Sequence, residues 1–316
     1  MDLIQKDLLL QIADLHGVPE GAYNVRTNGE TQSRNVTANV DIVTKTDGKS
    51  GIDIYIKSGI DIYIKPNTKN ESMHIPVIIS KAGLQEVVYN DFHIGENADV
   101  VIVAGCGIHN VGGKDDTSRH DGEHTFYVGK NARVKYVEKH YGSGDGNGKN
   151  VMNPKTVVHL EEGAYMEMET TQIKGIDSTK RVTTATMAAG ANFVVKEKLY
   201  THGEQIADTD FVVDMNGEGC RADIMSRSVA AGNSKQNFVS TMNGNAPCHG
   251  HTECDAIIMD NASVTAAPCL SANNIDAELI HEAAIGKIAG EQLIKLMTLG
   301  LTEKEAEEQI IKGFLH

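Results

Sequence analysis

The stretch APCHGHTECDAIIMDNA, residues 246–262, sets two cysteines, two histidines, a glutamate and two aspartates within one short run. Thiolate, imidazole and carboxylate are the side chains that hold transition metals. The spacing is not that of a zinc finger, whose ligands come in close CxxC and HxxxH pairs. On an extended chain Cys248 and Cys254 stand roughly 20 Å apart and successive residues alternate faces, so one compact tetrahedral centre from 248 to 254 is not expected. Three readings of the run stay open at this level. Cys254 serves as a soft ligand completed by donors from elsewhere, for which the pair His281 and Glu282 is the obvious source; alternatively His249, His251 and Asp255 form the centre of a metal-dependent enzyme, or the cysteines are bystanders in a structural adaptor. Because His281 and Glu282 are neighbours, on a regular strand they serve opposite faces.

The elements that must position these groups are strands. Residues 1 to about 22 carry Leu3, Ile4, Leu8, Ile12 and Leu15 at helical spacing, closed by Gly and Pro. From about Asn35 to Ala277 the chain turns to short alternating runs of Val, Ile, Tyr and Thr broken by Gly, Asn and Asp, the chemistry of strands. A small residue recurs just after a Gly or Asn turn and before a strand, at Ala98, Ala132, Ala164, Ala191, Cys220 and Ala262, at unequal intervals. This is the pattern of a parallel β-helix whose rungs tolerate loops of different length, with an antiparallel sandwich as the competing architecture. Residues 283–316 become helical again, with Ile288, Leu293, Leu296 and Met297 near one face, a stop at Gly300 and a capping box from Thr302 to Glu305. The division expected is 1–34 as an N-terminal helical segment, 35–277 as the β core and 278–316 as a C-terminal helical subdomain.

Two motifs carry no chemistry. SGIDIYIKSGIDIYIK, residues 50–65, is a tandem octapeptide whose even offset leaves the inward face unchanged if one copy replaces the other. HYGSGDGNGKN, residues 140–150, lacks the Lys-Ser/Thr pair and following helix of a phosphate cradle and reads as a connection between strands.

With 316 residues, a formal charge of -14, a pI near 5.3 and no basic stripe, the chain is not built to neutralise nucleic-acid phosphates. No apolar run approaches membrane-spanning length, and the start, MDLIQKDLLLQIADL, lacks the basic and apolar regions of a signal peptide. The five cysteines, Cys106, Cys220, Cys248, Cys254 and Cys269, show no CxxC spacing and suit a reducing cytoplasm.

The segments HIGENADVVIVAGCGIHN, GHTECDAIIMDNASV and HEAAIGKIAGEQLIKLMTLGLTEKEAEEQIIKGF, in that order over roughly residues 75–316, resemble the SufB/SufD family of iron-sulfur cluster assembly scaffolds. The resemblance implies a mainly β fold, a right-handed parallel β-helix core with a short N-terminal helix and C-terminal helices. It also implies that the chain is no enzyme by itself. The resemblance further implies that a transient iron-sulfur cluster forms at a subunit interface, driven by a SufC-type ABC ATPase that docks on the C-terminal helices. Carried over by position, the cluster cysteine falls on Cys254, a SufB-type glutamate on Glu282, a SufD-type histidine on His281, and the cysteine of sulfur entry, facing a sulfur donor, on Cys106. Cys254, His281 and Glu282 in one chain suggest that it combines both roles, as a homodimer or with a sister chain. About 75 residues precede the matching body, fewer than in many relatives, and the family assigns nothing to His249 and His251.

Overall fold

The computed structural model describes residues 1–45, 55–144 and 147–315. Helix α1, Leu3–Ala13, is started by a capping box in which the Gln5 amide donates to Asp2 Oδ1 at 2.8 Å and the Asp2 amide donates to Gln5 Oε1 at 3.1 Å. It stops at Asp14, whose φ of 55° is left-handed, well before the Gly and Pro expected to close it. Residues from Ala22 onward, read above as part of the helical segment, instead form a hairpin of β1 (Ala22–Thr27) and β2 (Glu30–Asn35).

The strands continue with β3 (Val40–Lys45), β4 (Tyr55–Ile64), β5 (Lys69–Ile79), β6 (Gln85–Ile94), β7 (Asp99–Asn110) and β8 (Thr117–Val128). Next come β9 (Arg133–Gly144), β10 (Lys149–Met152), β11 (Lys155–Leu160), β12 (Tyr165–Lys174), β13 (Ser178–Met187) and β14 (Asn192–Thr201). The last are β15 (Ile206–Met215), β16 (Cys220–Ala230), β17 (Lys235–Gly244), β18 (Cys248–Ile258), β19 (Ser263–Ala272) and β20 (Ala277–Gly286). One sheet runs β2-β1-β5-β7-β9-β12-β14-β16-β18-β20 and the other β19-β17-β15-β13-β10-β8-β6-β4-β3, with β11 between β8 and β13. Consecutive strands thus alternate between two parallel sheets, the coil of a parallel β-helix; the β1/β2 and β3/β4 pairs are antiparallel.

The recurring turn phrase marks one corner of this coil. Asn97, Asn131, Gly163, Gly190 and Gly219 all have positive φ, and each precedes a fully buried small residue: Ala98, Ala132, Ala164, Ala191 or Cys220. At this corner the positive φ falls on Gly or Asn, which adopt it at little steric cost, and the next side chain must be small because the backbones of neighbouring rungs stack there. Ala262 belongs to the opposite corner, two residues after the positive φ of Asp260; the first corner continues instead through Cys248, the register partner of Cys220, and Ala277, the register partner of Cys248. Inside, the rungs are filled by aliphatics and a few aromatics, among them Phe92 stacked on Phe126 at 4.3 Å. The second copy of the octapeptide lies in β4, with Ile60, Ile62 and Ile64 buried; most of the first copy falls outside the described residues.

Helix α1 lies across the outside of β7. A Cβ at Gly105 would stand 2.4 Å from the Ile12 carbonyl oxygen, and Leu8 packs over Gly107, so the helix seats where the strand has no side chains to hold it off. At the other end β20 and β19 are the edge strands of their sheets, with Ile280 and Ile285 exposed. Two helices follow, α2 (Gly290–Thr298) and α3 (Glu303–Phe314), the second started by the Thr302–Glu305 capping box. Ile294 and Leu299 are 62% and 80% exposed, so this pair packs mainly on itself. Among the described residues no helix is long and apolar enough to cross a membrane.

Candidate functional site

Strand alternation turns Cys106 of β7 into the β-helix, where it pairs in register with His140 of β9 and meets His120 of β8 from the opposite sheet. Burial alone would push its thiol up; the two imidazoles outweigh that and bring it down to about 7. The imidazoles respond in kind. Burial disfavours their charge, yet the Cys106 thiolate and Glu86 raise His120 to about 10, and Glu138 with Cys106 raises His140 to about 9. Each has a carboxylate behind it: His120 Nδ1 is 3.4 Å from Glu86 Oε2, and His140 Nε2 is 3.6 Å from Glu138 Oε1. Glu86 is paired in turn with Arg26. The product is a buried thiolate between imidazoliums, the arrangement that makes a cysteine nucleophilic at neutral pH.

From Cys106 a polar spine climbs the otherwise apolar interior. Glu138 accepts from Tyr136 Oη at 3.0 Å and from Arg181 Nη1 at 2.7 Å; Arg181 Nε lies 3.7 Å from Glu197. Glu197 also accepts from Thr209 Oγ1 at 3.0 Å and from Ser226 Oγ at 2.7 Å. Glu138, Thr170, Glu197, Ser226 and Cys254 are register partners on successive rungs, so this column ends on Cys254. Arg181 holds Glu138 ionised far below the usual carboxylate range against the cost of burial. A small cavity lined by Thr170, Gln172, Thr179, Arg181, Glu197 and Thr209 opens along this path.

Cys254 differs in kind from Cys106. It is 1% exposed, and burial with Glu197 and Asp255 nearby pushes its thiol up to about 12, so at neutral pH it is protonated. The last strand alone covers it on that side: Ala283 of β20 is its register partner, and His281, two residues earlier, pairs with the inward Thr252. Cys254 and His281 therefore share the inner face on adjacent rungs, with Cα atoms on the order of 8 Å apart by ladder geometry. The Nδ1 of His281 is buried without a hydrogen-bond partner. Glu282 points to the outer face beside Glu253, its carboxylate 3.7 Å from His251 Nε2, as the alternation of neighbours requires. The structure thus brings Cys254 and His281 to one face and sets Glu282 on the other.

The histidines of the opening run also lie outside. His251 Nδ1 is 2.8 Å from Asp223 and His249 Nδ1 is 3.4 Å from Glu278; with Asp255 they line one outer face of β18. Among the described residues no three His, Cys, Asp or Glu side chains converge as a metal would require. Sequence reading missed the interior charges Glu86, His120, Glu138, His140, Arg181 and Glu197. Their signal was present in VKYVEKHY, where Glu138 and His140 sit on the same alternation phase as Val134 and Tyr136.

The family model described as SUF system FeS cluster assembly, SufBD core domain, matches residues 78–314. An iron-sulfur cluster assembly SufBD family protein of Methanocaldococcus jannaschii is 29% identical over 245 residues, covering 77% of this chain and 76% of that protein. One from Pyrococcus horikoshii is 30% identical over 235 residues, 74% of this chain and 69% of its own. The relative from Methanothermobacter thermautotrophicus strain Delta H is 28% identical over 245 residues, and the match spans 57% of its length. A matched core of this extent, on a parallel β-helix with terminal helices, makes the chain a member of the SufBD family of the SUF system of iron-sulfur cluster assembly.

Proposed function

We propose that the chain is a scaffold on which a nascent iron-sulfur cluster, its cargo, is built at the open end of the β-helix. The observation that carries this reading is the pairing of an ionised thiol at Cys106 with a protonated one at Cys254, joined by a polar spine inside one coil. Cys106 thiolate attacks the outer sulfur of a donor persulfide, giving Cys106 persulfide and releasing the donor thiolate. An external dithiol then reduces that persulfide, leaving as a disulfide and freeing hydrosulfide, a small anion that Arg181 and the interior hydroxyls are placed to solvate over the ~24 Å of five rungs to Cys254.

At the far end Cys254 and His281 offer a thiolate and an imidazole to iron and sulfide, ligands suited to such a cluster. Their spacing, about 8 Å between Cα atoms, leaves room for an iron-sulfide unit between them. The exposed edge of β20 leaves room for a second surface, a second copy or a sister chain, to supply further ligands, and Glu282 on the outer face serves iron delivery or that partner. The apolar side of α2 and α3 is the docking surface for a SufC-type ATPase, whose hydrolysis separates the interface; the chain itself turns over no substrate. The reading places it in the cytoplasm.

Anaerobic reconstitution with ferrous iron and sulfide tests this. Wild type develops sulfur-to-iron charge-transfer absorption in the visible, and Cys254→Ala, which matches its register partner Ala283 on the next rung, abolishes it. Equal spectra from the two proteins would remove Cys254 from the site.

A further inference from the structure

Four sulfur-bearing side chains line one inner edge of the coil, away from the polar spine. Cys220 and Cys248 open β16 and β18, pair in register and are inward, 0% and 7% exposed. Across the turn lie Met215 and Met242 of β15 and β17, both fully buried. Two glycines let these sulfurs pack directly on the backbone. A Cβ at Gly250 would stand 3.1 Å from Met242 Sδ and 3.2 Å from Met215 Sδ, and one at Gly244 would stand 3.2 Å from Cys248 Sγ. The Leu279 methyls touch both positions and so link the thiol side of the cluster to the thioether side.

We propose that this edge is a binding site for a soft monovalent cation, Cu(I), held by Cys220 and Cys248 with Met215 and Met242 as flanking thioethers. The donor set decides the metal: thiolate and thioether select Cu(I), whereas calcium and magnesium need oxygen ligands and structural zinc takes four thiolate, imidazole or carboxylate groups. Cu(I) displaces the protons of both thiols, giving a bis-thiolate unit of net charge −1 and two free protons, while the thioethers stay neutral. In-register parallel neighbours stand about 4.8 Å apart, close to two metal–sulfur bonds end to end at roughly 2.3 Å each. Cys248, the first residue after the Asn245–Pro247 turn, stands at the end of its strand and is the entry point.

The test is anaerobic competition of the full chain with the chromophoric Cu(I) chelator bicinchoninate. Wild type should withdraw one equivalent, and the Cys220→Ala/Cys248→Ala protein should lose more than the roughly 10–100-fold that removal of an outer partner costs. Alanine is the safe replacement because Ala191 and Ala277 fill the same corner on the flanking rungs. Met215→Leu/Met242→Leu should weaken binding by a smaller factor, and Cys254→Ser should leave it unchanged. Equal affinity in wild type and the double-alanine protein, dependence on Cys254, or isolation of a Cys220–Cys248 disulfide without copper uptake would each overturn the site. The double-alanine protein should still build its cluster at Cys254, so failure of this proposal is separable from failure of the scaffold reading; should it not fold by circular dichroism, Cys248→Ala alone carries the same test.

Discussion

Replacing both imidazoles that flank Cys106, His120→Gln with His140→Gln, isolates the electrostatic activation of the thiol. The amides keep hydrogen-bond partners for Glu86 and Glu138 but cannot carry charge. With its thiol near 7, about half of wild-type Cys106 is thiolate at pH 7; without the imidazoliums burial holds it at or above 9.0, leaving about 1% or less. The thiolate fraction thus falls about 50-fold. The less acidic thiol is intrinsically more nucleophilic, and a Brønsted slope of 0.4–0.5 over two units returns about six- to tenfold. The net loss is about five- to eightfold at pH 7, read as the rate of carbamidomethylation of the Cys106 peptide by iodoacetamide with mass-spectrometric quantification. The sign follows from the lowered pKa. Wild-type rate should rise about tenfold per pH unit below 7 and level off above it, while the variant keeps rising to pH 9 or beyond and overtakes wild type there. The thiol is buried, so the shape of the pH profile, rather than the rate at one pH, separates ionisation from access. A wild-type profile without an inflection near 7, or one the double replacement leaves in place, would refute the activation.

Other perturbations reach the remaining parts. Arg181→Met leaves the buried Glu197 without its counter-charge and Glu138 with His140 alone, and should cost about 3–5 kcal/mol, read as a lowered denaturant midpoint. Gly105→Val puts a side chain where Ile12 sits, so α1 should lose protection in hydrogen exchange while the β signal of the coil is kept. Deleting residues 288–316 should abolish binding of a SufC-type ATPase in a pull-down and leave the circular dichroism of the β body unchanged, as the sparse packing of α2 and α3 implies.

The coil was legible because its constraints are local. A positive φ selects Gly or Asn, the stacked corner selects a small side chain, and the Thr302–Glu305 box announces α3 in sequence. Alternation likewise foretold that His281 and Glu282 serve opposite faces. What stayed hidden is set by pairing between distant rungs. Glu138 and Glu197 fall on the inward phase of their strands, but only register between rungs puts Arg181 between them. Ala262 satisfies the corner pattern yet sits at the opposite corner, because one turn type resembles the other over a few residues. The end of α1 was misplaced because Asp14 takes the left-handed cap that the later glycine was expected to supply.

The most direct test of sulfur passage through the coil follows isotopically labelled sulfur from a persulfide donor. Label should appear first on Cys106 and, after a dithiol is added with iron, in acid-labile sulfide held through Cys254. In Cys106→Ser neither should take label from the donor, while free sulfide still builds the cluster. Label reaching the cluster at the wild-type rate in Cys106→Ser would contradict the account.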